Sequence, residues 1–233
     1  MCGSQDRLID VYDRLYAAYG PQGWWPGETP FEVIAGAILT QSAAWTNVEK
    51  AIANLKAAGA LSPEGLAAIS EAGLAALIRP SGYFNAKARK LKAFMRLLDE
   101  SFGGDLQRLL AIPAADLRRL LLATHGIGPE TADSIVLYAA GRPSFVVDAY
   151  TRRIFSRLGI APGAATYDGW RELFMRALPA DAALFNEYHA LIVRLGKDVC
   201  RKHPLCDACP LRAICPTGCR GDRPVAPTVG LPA

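Results

Sequence analysis

Four cysteines fall within sixteen residues, spaced Cys200-x5-Cys206-x2-Cys209-x5-Cys215. Thiolates this close together can enclose a tetrahedral Zn²⁺ or an iron–sulfur cluster, and the spacing alone admits both. A disulfide framework is the poorer reading, because such frameworks spread across small secreted chains. A second feature is Gly126-Ile127-Gly128, set between two segments of helical periodicity. Glycines there permit a tight turn whose backbone N–H groups face an anion such as a DNA phosphate. A third is Asp148, placed to cap a helix. A fixed carboxylate in a dry cleft can also stabilise a developing cation or orient water.

The elements that must position these groups are helical. Apolar residues recur at helical spacing over 5–19, 31–39, 47–58, 84–101, 113–123, 130–140, 168–177 and 181–196. Ser62-Pro63 reads as an N-cap with proline at the first helical position. Period-2 alternation is nearly absent, so the fold class is expected to be all-α. The tail after Cys215, rich in Pro and Gly, reads as loose.

The chain has 233 residues, 51% of them hydrophobic and 21% charged, which is globular composition. No apolar run reaches the roughly 20 residues of a membrane helix. Charges from Asp6 onward interrupt any secretory signal, so a cytoplasmic chain is expected. The net charge of +4 conceals an uneven distribution: −4 over residues 1–78, +5 over 79–119, −2 over 120–141 and +4 over 142–202. Two basic stretches flanking the Gly-Ile-Gly turn suit a polyanion held at two places.

The run from Leu122 to Asp133 (LATHGIGPETAD), followed by Phe145 to Arg153 (FVVDAYTRR), resembles the helix–hairpin–helix (HhH-GPD) DNA glycosylases of the endonuclease III superfamily. Gly36–Gln41, Val48–Ile52, Gly82–Ala88 and the cysteine cluster extend the resemblance over about residues 25–216. It implies two helical lobes with a DNA cleft between them. One is a six-helix barrel over 30–141 containing the hairpin 124–129. The other is a cluster lobe built from 1–29 and 142–216, with 217–233 as tail. The partner it implies is double-stranded DNA with a damaged base, bound by a monomer. It also favours [4Fe–4S] over zinc on Cys200, Cys206, Cys209 and Cys215.

In that family an aspartate soon after the hairpin drives cleavage of the N-glycosidic bond, and Asp148 matches it. Bifunctional members carry a lysine just after the turn, whose amine forms a Schiff base. Glu130 stands at that position, and no lysine occurs from 93 to 196. A carboxylate cannot form an imine, so the expectation is a monofunctional enzyme without lyase activity. Trp24-Trp25-Pro26 and Trp45 resemble the 3-methyladenine glycosylase III type, which implies a base pocket of Trp24, Trp25, Trp45 and Glu130 for an alkylated purine. Alternatives are an oxidised pyrimidine, uracil or mismatched thymine, or a DNA-binding member with weak catalysis. Base flipping leaves a hole in the duplex, and the resemblance implies that Gln41, with Tyr83 or Phe84 as wedge, plugs it. Lys87, Gly126, Ile127, Gly128 and Thr131 complete the expected DNA contacts. His189 reads as a packing residue between lobes, and Cys2 and Cys219 as thiols outside the cluster pattern.

Overall fold

A computed structural model of the chain describes residues 4–219, and among them there is no β-strand. The helices are α1 (Ser4–Tyr19), α2 (Pro30–Leu39), α3 (Trp45–Ala57), α4 (Pro63–Ala68), α5 (Glu71–Leu77), α6 (Phe84–Phe102), α7 (Leu106–Ala111), α8 (Ala114–Ala123) and α9 (Pro129–Ser134). They continue as α10 (Ala149–Arg157), α11 (Tyr167–Ala177), α12 (Ala182–Asp198) and α13 (Pro216–Cys219). The expected loose tail therefore begins with a short helix; Cys2 and residues 220–233 lie outside the described residues.

Local chemistry sets the helix starts. Thr29 Oγ1 accepts from the Glu32 N–H at 3.1 Å, and Ser62 Oγ accepts from the Gly65 N–H at 3.0 Å, each with proline in the next position. Both arrangements satisfy orphan donors where proline costs nothing. The helix α2 is buried on all faces from Phe31 to Leu39. Its sequence accordingly lacks a polar stripe.

Two hydrophobic cores result. The first runs from Phe31 to Val136. The second takes Leu8, Val11 and Leu15 from α1 and then Leu137 to Leu211. The N-terminal helix thus returns to the C-terminal half, where Tyr188 Oη donates to the Leu8 carbonyl at 2.7 Å and Arg7 to the Leu158 carbonyl at 3.0 Å. The hairpin helix α9 continues as a π-helical stretch, Ile135–Ala139. Ile135 and Val136 face the first core and Leu137 the second, so one element passes between both.

A buried carboxylate fastens this junction. Asp133 is fully buried, and its Oδ1 accepts from Arg118 Nε at 2.9 Å, Arg171 Nε at 3.1 Å and Ser144 Oγ at 2.5 Å. Those donors come from α8, α11 and the segment before α10. A buried charge is tolerable only when paired and hydrogen-bonded in this way. The clasp holds the hairpin helix against the segment that delivers Asp148.

Candidate active site and DNA-facing turns

Asp148 caps α10. Its Oδ1 accepts from the Thr151 N–H at 2.7 Å and from Thr151 Oγ1 at 2.9 Å. The preceding residues Phe145–Val147 are buried, which anchors the cap from behind. The second oxygen, Oδ2, faces Nε2 of His189 on α12 at 3.7 Å. Burial alone would push this carboxyl up, but His189 and the two Thr151 donors outweigh it and hold the group below the usual carboxylate range. Asp148 is therefore an ionised carboxylate with one oxygen committed to the helix cap and the other facing His189.

An aromatic cluster lies on the far side of His189. Trp25 packs edge-on to Trp45 at 5.3 Å and to Trp24 at 5.9 Å between centroids, and Trp24 lies 6.4 Å from Trp45. A fourth ring, Tyr138 of the π-helical stretch, lies 5.0 Å from Trp25. Tyr138 had no signal in the sequence, because a tyrosine in an apolar helical run reads as core. Its hydroxyl contacts Nδ1 of His189 at 2.6 Å. His189 is thus more than a packing residue: it links the aromatic cluster to Asp148.

Glu130, in the first turn of α9, is open to solvent by area, yet protein crowds its carboxylate. That burial, and then the charge of Asp148, raise it above the ordinary value, while the Arg152 guanidinium pulls the other way. It lines an open groove with Gln41, Lys90, His125, Gly128 and Arg152.

That groove runs along the hairpin between α8 and α9. Gly126 has φ +81°, and a Cβ there would meet Lys90 Cγ at 2.3 Å. Gly128 has an ordinary φ of −87°, with nothing within 4 Å of the Cβ it lacks. The two glycines have different causes: the first serves the fold, and the second leaves the outside open.

Several expected DNA contacts are reassigned. Lys87 is 1% exposed and does not meet phosphate; it donates to the Leu39 carbonyl at 2.7 Å and the Ser81 carbonyl at 2.6 Å. It lies one turn into α6, on the core-facing side. Ile127 and Thr131 are buried, so Ile127 offers only backbone. Gln41 does not reach out as a plug either. Its Nε2 donates to Thr131 Oγ1 at 2.9 Å and the Gly126 carbonyl at 3.2 Å, and its Oε1 accepts from Lys90. The exposed residue of that turn is Ser42, at φ +52°. Tyr83 is 75% exposed at φ +45°, at the tip that precedes α6.

The four cysteines line one cavity with Arg157, Pro204 and Leu205, and none is in a disulfide. Arg157 reaches Cys200 Sγ at 3.1 Å and the carbonyls of Arg201 and Lys202 at 2.7 and 3.0 Å. Arg153 holds the carbonyls of Cys200 and Gly196, both at 2.9 Å. Burial pushes the Cys209 thiol up, and the other three cysteines add to it, as expected of sulfurs around a common centre. Among the described residues no three Cys, His, Asp or Glu are placed to hold a single metal ion.

Residues 35–180 match the family model of the HhH-GPD superfamily base excision DNA repair proteins. This chain belongs to that superfamily. A putative DNA repair glycosylase of Methanocaldococcus jannaschii is 46% identical over 213 residues, covering 90% of this chain and 96% of the relative. Endonuclease III of Thermotoga maritima is 29% identical over 191 residues, covering 80% and 82%. Among solved structures, the 3-methyladenine DNA glycosylase of H. pylori bound to 1,N6-ethenoadenine superposes with a TM-score of 0.70 at 29% identity, covering 84% of this chain and 98% of that one. This chain is accordingly a base excision repair DNA glycosylase of the HhH-GPD family.

Proposed function

We propose that this base excision repair glycosylase is monofunctional and releases alkylated purines from double-stranded DNA. The observation that carries this reading is the aromatic cluster of Trp24, Trp25, Trp45 and Tyr138, linked to Asp148 through His189, together with Glu130 where bifunctional members carry lysine. The H. pylori relative, a 3-methyladenine glycosylase, supports it. An N3- or N7-alkylated purine is cationic, and its glycosidic bond is already weak. Stacked rings favour such a base by cation–π attraction worth about 0.5–2 kcal/mol per ring.

The chain's residues divide the work. The hairpin backbone at Gly126–Gly128 takes a phosphate, with Lys90 and Arg152 beside the same groove. Tyr83 fills the space left by the flipped nucleotide. The C1′–N bond then breaks with its electron pair leaving on the base. Asp148 Oδ2 stabilises the cationic sugar, water adds to C1′, and its proton passes to the carboxylate or to solvent. Glu130, occupying the position of the Schiff-base lysine, cannot form an imine, so the product is an abasic site with the strand intact.

The four thiols line one cavity, a donor set that suits a [4Fe–4S] cluster, and the likeness to endonuclease III favours that cluster over zinc. A cluster held by Cys200, Cys206, Cys209 and Cys215 would supply a structural tie between loop 200–215 and α10.

The test is base release from duplexes with single defined lesions, comparing the wild type with Asp148→Asn. Release of alkylated purine by the wild type only is expected, and borohydride should trap no covalent adduct. Preferential release of oxidised pyrimidine, uracil or mismatched thymine, or a trapped adduct, would overturn the reading.

A further inference from the structure

The buried polar groups behind Asp148 form a chain that ends on the base pocket. His189 is 6% exposed and lies between Tyr138 and Asp148. Its Nδ1 is 2.6 Å from Tyr138 Oη, and its Nε2, buried and without a hydrogen-bond partner, is 3.7 Å from Asp148 Oδ2.

Only one neutral tautomer suits this arrangement. If Nδ1 carried the proton, the bare lone pair of Nε2 would face a carboxylate oxygen in a water-poor site. Repulsion between those lone pairs would be unrelieved. If Tyr138 donates to Nδ1, the proton sits on Nε2 and points at Asp148 Oδ2. Burial, which holds the Tyr138 hydroxyl in its protonated form, agrees with that direction of donation.

We propose that His189 is a positioning residue for Asp148, acting as a neutral imidazole whose Nε2–H orients the free carboxylate oxygen while Tyr138 fixes the tautomer. The inference rests on the reading of Asp148 as the group that faces the sugar. Neutrality is central to it. A guanidinium or ammonium in the same place would cancel the negative charge that a cationic transition state requires. A neutral donor restrains the carboxylate and leaves its charge intact. Tyr138 also packs on Trp25, so a base entering the aromatic pocket bears on the ring that sets the tautomer. The gap of 3.7 Å is longer than a hydrogen bond and has room to close.

The experiment has two readouts. The chain holds three histidines, His125, His189 and His203, and only His189 is buried. Long-range ¹H–¹⁵N correlation on the intact, labelled protein near neutral pH should show a buried Nε2–H tautomer, and Tyr138→Phe should disturb it. An Nδ1–H tautomer or a doubly protonated ring would overturn the proposal, whatever the activity of any variant. The second readout is single-turnover release from methylated duplex DNA. His189→Phe should slow release about 10- to 100-fold, as expected for losing one hydrogen bond to a charged group, with duplex affinity unchanged. His189→Gln, which keeps an N–H donor, should recover most of the rate. Wild-type rates from His189→Phe would overturn the proposal. If Asp148→Asn is inactive in that case, the reading of Asp148 stands; if it is also unimpaired, both fall.

Discussion

The ammonium of Lys87 lies 2.7 Å from the carbonyl oxygen of Leu39, the last residue of α2. The same nitrogen reaches the Ser81 carbonyl at 2.6 Å. These carbonyls lead directly into the two turns whose exposed tips, Ser42 and Tyr83, have positive φ. Lys87 is the strut that sets the spacing of both tips. Lys87→Met should leave both carbonyls without their donor and lower stability by about 1–3 kcal/mol, as read by chemical denaturation.

The same residue predicts a pH effect. Burial, with Lys90 nearby, lowers Lys87 from the ordinary 10.5 to about 8. Below pH 8 the folded and unfolded chains both hold the proton, and the cost of burying the charge is present in full. Between about pH 8 and 10.5 only the unfolded chain holds it, so this group's contribution to stability rises with pH. The neutral amine still has two N–H bonds for its two carbonyls. Denaturation midpoints at about pH 7 and about pH 9.5 should show this gain in the wild type, superposed on other titrations, and Lys87→Met should lack it.

Tyr83→Gly separates folding from DNA opening. The tyrosine is exposed and sits at φ +45°, a conformation glycine adopts freely. Relief at that φ offsets the entropy glycine loses on folding, so stability should change by less than about 0.5 kcal/mol. Fluorescence of 2-aminopurine placed beside a lesion should reveal the loss of base extrusion.

The two hairpin glycines should behave differently. Gly126→Ala places a Cβ against Lys90 at a positive φ, so thermal melting should drop by several degrees and duplex affinity with it. Gly128→Ala meets nothing within 4 Å at an ordinary φ. Its melting should match the wild type, while duplex affinity measured by anisotropy falls, because only an approaching phosphate would meet the added methyl.

Arg157→Leu removes the N–H donor to Cys200 Sγ and frees the carbonyls of Arg201 and Lys202. Outer partners of this kind typically change metal-site stability about 10- to 100-fold. On the cluster reading, iron content and visible absorption should be lost faster in air than from the wild type.

Much of the fold was legible in the chain alone, because helices follow from local periodicity and caps. The pattern at Ser62-Pro63 and the apolar run of α2 needed no partner to be read. Asp148 was legible for the same reason: an aspartate before a helical pattern is a local signal, and the family motif around it is contiguous. The cysteine spacing also lies within one short segment. The partners of Lys87 and Gln41 are not legible in the sequence, because a polar side chain on a helix or turn carries no mark of the carbonyls it will meet. Lys87 finds acceptors 48 and 6 residues away, and Gln41 binds a hairpin 85 to 90 residues on.

The sequence by itself therefore determined the all-α class, the hairpin, the capping carboxylate and the grouping of four thiols. Each is encoded by neighbours along the chain. The tertiary structure decided which polar groups face outward and which oxygen of Asp148 is left outside the cap. It alone brought His189 within 3.7 Å of Asp148, from 41 residues away, and Tyr138 against Trp25 across the junction of the two cores. The physical reason is that a side chain's role follows from whether packing leaves it water, a partner or neither. Periodicity along the chain does not carry that information.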